Sequence, residues 1–357
     1  MADRKHEVGD VRTEIAEVDR ALLQKLEERA RLSRKIHKLS EGEVPTADLS
    51  EREWLAGLEK AASGDLPVDD LAAIFRQIRA SARALEEAAR VAYLGPEGSF
   101  CHATAKRHFG SSGVYAECAT LAEALEEVER GRALYAVFPY ESSTDGLVVS
   151  NIATLEATDL VLVAERTTTA AYDLMSRTAN MADIEKIYAT AAAHAACERF
   201  LERELPKATV IDVRSPVVAA ELAAGDHGSA ALAPAACGVE VELGTVRANV
   251  GDTADMAFRF GIAGARPAPR TGKDTTCLLF SVDDSPGALF DVLRHFAERG
   301  VNLKKLQSRP VSGRGWDYVF YGEVSGHVTD RPVVTALEAV KRGTKYLKVL
   351  GSFPTER

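Results

Sequence analysis

Residues 91–100 read VAYLGPEGSF. An apolar run with an aromatic, Val91-Ala92-Tyr93-Leu94, stops at Gly95-Pro96, and Glu97-Gly98-Ser99 opens a helical pattern. This is a strand, a tight loop and a helix start. Gly95 and Gly98 permit positive φ or close backbone approach, and Ser99 is placed to cap the helix. Amides of a helix start, aimed out of a glycine-bearing loop, suit a carboxylate or phosphate. The same ten residues also fit an ordinary strand-to-helix connection. Upstream the pattern is purely helical; downstream, strands and helices alternate.

Upstream, Val11, Ile15, Val18, Leu22, Leu26, Leu32, Ile36 and Leu39 recur at helical spacing over roughly thirty residues, about 45 Å of helix. Gly42 to Pro45 breaks this helix. Ser50 stands three residues before Glu53, a capping box for a second helix. Ser63-Gly64-Asp65-Leu66-Pro67 then precedes a third helix, from Val68 to about Ala89. A first helix of that length cannot bury its stripe against two short followers, so the pattern predicts a partner chain. Arg20, Lys25, Arg29, Arg31, Arg34, Lys35 and Lys38 meet only Glu27 and Glu28 along it. That is either a solvated face or a pocket for a small polyanion.

At 357 residues the chain is too long for one core, and two or three domains are expected. No run of eighteen apolar residues exists, and the charged first thirty residues have no apolar h-region. Neither a membrane span nor a secretory signal is expected, and the location is read as cytoplasmic. The net charge of −9 argues against nucleic-acid binding. Cys101, Cys118, Cys197, Cys237 and Cys277 lack paired spacing, so reduced thiols are expected, with no metal, disulfide framework or cofactor.

Downstream, strands are predicted at Val114–Tyr115, Leu134–Phe138, Asp159–Glu165, Ile187–Ala189, Ala208–Val213 and Ser229–Leu232. Helices are predicted at Leu121–Arg130, His194–Leu205 and Val217–Ala224. The alternation is that of a doubly wound α/β region. Arg266 to Lys273 is a linker by composition. After it come strand Thr276–Val282, a helix from Asp284 to Arg299-Gly300, strand Leu303–Ser308, a turn at Val311–Gly315, strand Trp316–Val324, helix Arg331–Lys341 and strand Tyr346–Leu350. That order, βαββαβ, is a ferredoxin-like unit of about eighty residues. The domain expectation is 1–90 all-α, 91–268 two-lobed α/β, and 274–357 α+β.

The helical segment resembles the all-helical chorismate mutase, an intertwined dimer of three-helix chains. Its reaction is a pericyclic rearrangement of a dicarboxylate, which needs arginines to clamp carboxylates and donors for the breaking ether oxygen. By that resemblance Arg12 and Arg29 fall on the first helix's arginines, Arg52-Glu53 on the second helix's pair, and Glu86 on the third helix's carboxamide or protonated carboxyl. The lysine over the ether oxygen falls on Ser40. Lys38 is about 200° away around the helix, and His37, on Ser40's face, is the better substitute. Losing one such donor typically costs about 10²–10³ in rate.

VAYLGPEGSF also resembles the opening of prephenate dehydratase, and Pro139-Tyr140-Glu141-Ser142-Ser143 its Pro-Ile-Glu-Asn-Ser loop. Asn249-Val250-Gly251-Asp252 with Phe258-Arg259-Phe260 resembles its closing Asn-Ile-Gln-Asp and Thr-Arg-Phe signature. The resemblance implies two α/β lobes with prephenate between them, and Glu141, Ser143 and Arg259 as retained site residues able to bind an anion. The departures are Phe258 for the threonine, Ser142 for the asparagine, and Ala189-Thr190-Ala191-Ala192 for Ser-His-Pro-Gln. A missing general acid costs roughly 10²–10⁴, so dehydration is expected to be impaired or rerouted.

The last eighty residues resemble the ACT regulatory domain of phenylalanine-sensitive dehydratases. Gly287-Ala288-Leu289 stands for its Gly-Ala-Leu motif and Gln307-Ser308-Arg309-Pro310 for its Glu-Ser-Arg-Pro motif. This implies L-phenylalanine as effector, bound between paired ACT units. Together the segments resemble the bifunctional chorismate mutase–prephenate dehydratase family. They imply a chorismate- or prephenate-like dicarboxylate as substrate and a homodimer or dimer of dimers, with the mutase the activity retained. Two other readings stay open: a binding homologue that senses phenylalanine or a prephenate-like acid without turnover, or altered chemistry on such an acid.

Overall fold

The computed structural model describes residues 2–39, 57, 60, 64, 66–68, 70–75, 77–78, 90–110, 113–178, 180–239, 241–253, 255–310 and 318–356. The expectations placed on Ser40, Arg52, Glu53 and Glu86, and on the turn at 311–315, lie outside these residues. Two compact units are formed, Met1–Ala89 with Phe109–Val114, and Arg90–His108 with Tyr115–Arg357.

In the first unit one helix runs Ala2–Leu39, 38 residues. It begins nine residues before Val11, where the periodic stripe starts. The stripe marks where a helix needs partners, not where it ends, and 2–10 contain no proline to stop it. Exposure along the stripe runs from 40% at Leu26 to 59% at Val18, with Ile15 at 55% and Leu22 at 56%. Ala72, on a later helical stretch, is buried.

The second unit opens with β1 (Arg90–Leu94), β2 (Val114–Cys118), β3 (Tyr135–Ser142), the two-residue β4 (Gly146–Leu147) and β5 (Val161–Thr169). The chain then crosses to a second lobe made of β6 (Asp173–Ser176), β7 (Lys186–Ala189), β8 (Thr209–Asp212), β9 (Ser229–Ala233) and β10 (Gly244–Arg247). It returns as β11 (Ala257–Gly264), and ends in β12 (Asp274–Ser281), β13 (Leu303–Pro310), β14 (Tyr318–Ser325) and β15 (Tyr346–Pro354). The second lobe is a five-stranded sheet in the order β10-β6-β9-β7-β8. β9 reads Ser-Ala-Ala-Leu-Ala and is buried throughout, as a strand covered on both faces should be. The two crossings lie side by side: Val250 N–H donates to Tyr172 O at 2.8 Å and Ala170 N–H to Met256 O at 2.7 Å.

Sequence periodicity missed β6, β10 and β11, and it read 194–205 as a single helix. The chain instead breaks at Cys197 into Ala191–Ala196 and Glu198–Glu204. Asp252 causes the second start, because its carboxylate accepts from the amides of Arg199 and Phe200 at 2.8 and 2.9 Å. A cap supplied from fifty residues away leaves no local signal.

The remaining strands join one sheet in the order β13-β14-β12-β15-β5-β11-β3-β1-β2. The ferredoxin-like segment is thus built onto the first lobe. Alternation along its strands decides the two faces. Leu278, Phe280 and Val324 meet the helices Ala288–Ala297 and Arg331–Arg342 through Val292, Phe296, Val333 and Val340. Cys277, Leu279, Val319 and Tyr321 join Tyr140, Leu162 and Phe138 in the first lobe's core. The composition-based linker is tethered as well: the His327 ring lies 3.0 Å from Ala268 O, and Asp274 accepts the amides of Thr271 and Gly272.

β15 meets β5 at a single parallel pairing, Gly351 with Leu162. Gly351 has φ 156°, and a Cβ there would run into the Leu162 backbone. Gly351→Ala is therefore expected to destabilise the chain by about 1–3 kcal/mol, the usual range for forcing atoms into a packed site, read as a lowered urea midpoint.

Candidate functional site

The loop at 95–99 joins a strand to a helix and is closed on itself. Ser99 Oγ accepts the His102 amide at 3.3 Å, capping the helix Phe100–Phe109. The other loop amides are taken. Glu97 N–H donates to Glu117 Oε2 at 3.0 Å, Gly98 N–H to His102 Nδ1 at 3.1 Å, and Ser99 N–H to Pro96 O at 3.1 Å. The carboxylate held at these amides is the chain's own Glu117. This corrects the expectation of open amides at 97–99; the ordinary connection is what the chain builds.

β3 and β11 carry the two dehydratase-like motifs side by side, with Ser142 opposite Phe258 and Glu141 opposite Arg259. Arg259 lies among three carboxylates. Its Nη1 donates to Glu141 Oε2 at 2.6 Å and Glu323 Oε1 at 2.7 Å; its Nη2 donates to Glu323 Oε2 at 3.2 Å and to Glu165. Glu165 sits on β5, and Glu323 belongs to β14 of the ferredoxin-like segment. Lys305, from β13, closes the cluster on Glu141. Tyr140 donates to Glu165 at 2.6 Å and Tyr321 to Glu323 at 2.8 Å. The Arg259 guanidinium also lies 5.1 Å from the centre of the Tyr140 ring.

Three carboxylates and two cations leave one formal negative charge, which the two phenol donors help to hold. Side chains of Glu165 and Glu323 are 6% exposed, so each depends on its partners. Burial pushes the Glu141 carboxyl up, but hydrogen bonds from Lys305 and Arg259 outweigh it, and the net shift is downward. Burial opposes the Arg259 charge too, and Glu323, Tyr140 and Glu165 hold it firmly protonated. A carboxyl whose folded value lies below its unfolded one stabilises above the unfolded value, about 4.3 for glutamate, and loses that contribution as pH falls through the folded value. Urea midpoints are expected to drop between pH 5 and pH 3, and Glu141→Gln to flatten that slope.

Ser142 keeps its polarity within its own turn. Its hydroxyl accepts the amides of Thr144 and Asp145 at 3.2 and 3.0 Å and donates to Asp145 Oδ2 at 3.2 Å. Ser143 Oγ accepts the Ala257 amide at 3.0 Å, joining the loop to the start of β11. Phe258 is half-buried between Phe100 at 6.4 Å and Phe260 at 6.1 Å, and Phe100 in turn packs edge-on against Tyr172 where the chain leaves for the second lobe. The cross-strand neighbour of Phe258 is Thr168, whose hydroxyl lies 2.8 Å from that of Thr104. Thr190 caps the helix Ala191–Ala196 by accepting the Ala193 amide at 3.2 Å.

The closing motif serves the second lobe: Asn249 N–H donates to Asp173 Oδ1 at 2.9 Å, and Asp252 caps a helix. A cavity of about 340 Å³ beside it is lined by Arg199, Arg203, Arg247, Asn249, Gly251 and Asp252 of the second lobe.

The ACT-like motifs occupy two settings. Gly287, at φ 87°, precedes the helix of Ala288 and Leu289 and is exposed. On β13 a register shift between Leu303 and Lys305 turns Lys305, Gln307 and Arg309 toward the first lobe. Lys305 takes Glu141, and Arg309 pairs with Glu156. A Cβ on Gly146 would sit 3.3 Å from Gln307 Nε2. Ser308 faces the other way and is exposed. In the helical unit Arg12 is exposed, while Arg29 is half-buried with Nη1 3.5 Å from Ile78 O. All five cysteines are free and buried. Burial pushes the Cys118 and Cys197 thiols up to about 11 and 12. Among the described residues no group of His, Cys, Asp and Glu could hold a metal, and no helix is long and apolar enough to cross a membrane.

Family models match in order along the chain: chorismate mutase type II at 11–87, prephenate dehydratase at 91–268 and the ACT domain at 277–342. The bifunctional chorismate mutase/prephenate dehydratase of Aquifex aeolicus is 34% identical over 354 residues, 98% of both chains. The chain belongs to the bifunctional chorismate mutase/prephenate dehydratase family. Another member, from Pseudomonas aeruginosa, is 33% identical over 362 residues, 99% of both chains. Among solved structures, the prephenate dehydratase of Arthrobacter aurescens in complex with L-Phe is 28% identical, with a TM-score of 0.65 over 74% of this chain and 90% of that one. GqqA, described as a novel type of quorum-quenching acylase, is 27% identical, with a TM-score of 0.64 over 75% of this chain and 98% of that one. In this member of the bifunctional family, motif matching found Glu141 and Arg259 but missed Glu165, Lys305 and Glu323, which complete their cluster. Two signals were present: a glutamate within the apolar run Val319–Val324, and the period-two spacing of Lys305, Gln307 and Arg309.

Proposed function

We propose that the chain is a bifunctional enzyme of phenylalanine biosynthesis in which chorismate mutase is the retained activity, prephenate dehydration is impaired, and L-phenylalanine is the effector. The reading includes a cytoplasmic location and domains at 1–90, 91–268 and 274–357. What supports it most is the match of three functional regions, in order, over nearly the whole length of bifunctional relatives. Arg12, Arg29, Arg52, Glu53 and Glu86 would hold chorismate, the arginines on its carboxylates. Glu141, Ser143 and Arg259 would shape the prephenate site. Phe258 supports the impairment, because a ring packed on Phe100 and Phe260 has no proton to give. The effector would sit at Gly287, Ala288 and Leu289 with Gln307, Ser308, Arg309 and Pro310. Purified full chain is expected to convert chorismate to prephenate and to dehydrate prephenate far more slowly. No mutase turnover at high enzyme concentration sinks the reading.

The exposed stripe of the opening helix supports a homodimer, or a dimer of dimers, joined through a second copy of that helix. Leu22→Asp with Val18→Asp is expected to lower the mass found by light scattering to that of a smaller assembly and to abolish mutase turnover. Unchanged mass with unchanged turnover removes the dimer from the reading.

A second reading, a homologue that binds phenylalanine or a prephenate-like acid without turnover, is favoured by the internal partners of Glu141 and Arg259. Calorimetric phenylalanine binding with neither activity selects it. Altered chemistry on a prephenate-like acid is a third, and unchanged prephenate in mass spectra after incubation excludes it.

A further inference from the structure

We infer that Lys305 and Glu323, both in the regulatory segment, are positioning residues for the Glu141–Arg259 pair, and that β13 carries the state of the effector motif to the β3–β4 turn, residues 142–146. Lys305 and Arg259 hold the two oxygens of Glu141 from opposite partners, Lys305 on Oε1 and Arg259 on Oε2. Glu323 takes both terminal nitrogens of Arg259. Neither Glu141 nor Arg259 can therefore turn without breaking a bond to the regulatory sheet. The turn that follows Glu141 is tied to β11 at Ser143, whose amide donates to Ala257 O at 2.8 Å and whose Oγ accepts the Ala257 amide. Ser142, Thr144 and Asp145 bond mainly to one another, and Gly146, at φ 74°, lies against Gln307.

One strand touches the loop's two ends and its supporting helix. Lys305 reaches Glu141, Gln307 lies against Gly146, and Arg309 pairs with Glu156 at the end of the helix Val149–Glu156. These three side chains share one face of β13, while Ser308 is exposed. A strand moves as a unit, so a shift imposed at 307–310 reaches all three contacts together. Exposed turns open locally at lower free energy than the strands they join, which makes residues 143–146 the place where the loss would show.

Positioning does not depend on which ligand binds; the response to phenylalanine rests on the effector proposed above. Hydrogen exchange on the full chain tests both. Lys305→Met and Glu323→Gln are expected to speed exchange at 143–146 by about tenfold or more while β9 in the second lobe keeps its rate, and Lys305→Arg to restore the slow rate. Phenylalanine is expected to change exchange at 142–146 in the parent chain and in Lys305→Arg, but not in Lys305→Met, although calorimetry shows binding to all three. Loop exchange within about twofold of the parent in both Lys305→Met and Glu323→Gln overturns the inference, as does an undiminished phenylalanine response in Lys305→Met. If phenylalanine binds none of them, the effector reading falls, and the exchange of the unliganded variants still decides positioning.

Discussion

Arg259→Leu lowers the stability of the chain by about 3–5 kcal/mol, the range for removing one partner of a buried ion pair. Leucine fills much of the volume but leaves Glu141, Glu165 and Glu323 facing one another with only Lys305 as a cation. Like carboxylates that close cannot all ionise, so at least one must take a proton at neutral pH. The loss should accordingly be larger at pH 8 than at pH 5, a dependence that a simple cavity would not produce. Lys25→Ala, which breaks the exposed pair with Glu28 at 2.8 Å, is the control and should leave stability unchanged. A loss for Arg259→Leu of under about 1 kcal/mol, equal at both pH values, means the carboxylates do not rely on the guanidinium.

Restoring the hydroxyl is the change expected to move activity most. Phe258→Thr with Ser142→Asn should raise prephenate dehydration by about 10²-fold or more, the scale of a regained proton donor or oxyanion contact. The backbone places a threonine there without strain, since position 258 is an ordinary strand residue opposite Ser142 and Thr168. Asparagine at 142 can cap the turn as serine does, accepting the amides two and three residues on. The exchange also removes the Phe258 contacts with Phe100 and Phe260, so a modest loss of stability accompanies the gain. Phe258→Leu separates the two effects, because it disturbs the packing and supplies no hydroxyl. If the threonine variant gains no more than the leucine one, the missing hydroxyl is not what limits dehydration.

The elements of the second unit were largely legible because their signals are local. Strand Ser229–Ala233 and helix Arg331–Arg342 begin and end within a residue of where pattern and caps put them. Legibility failed where the cause lay far along the chain. The break at Cys197 is set by Asp252, and the amides of 97–99 are closed partly by Glu117 and His102. The site shows the same division. Glu141 and Arg259 stand inside readable motifs, whereas Glu165, Lys305 and Glu323 have no motif of their own and become partners only when β5, β13 and β14 fold together. The opening helix was readable for a different reason: its apolar stripe is regular, and its described members from Val11 to Leu32 are exposed.

The shared core of the first lobe and the regulatory strands bears on where this polypeptide can be cut. Tyr140 and Phe138 on one side, and Leu279, Val319, Tyr321 and Phe353 on the other, exclude water together. Removing the regulatory strands at residue 270 would wet both surfaces at once, leave Glu165 on an edge strand and take Glu323 from Arg259. The dehydratase segment is consequently not a portable part. Anyone wishing to graft or express it alone would have to resurface it first, and a nick in this region should leave the two pieces associated rather than release an unregulated enzyme.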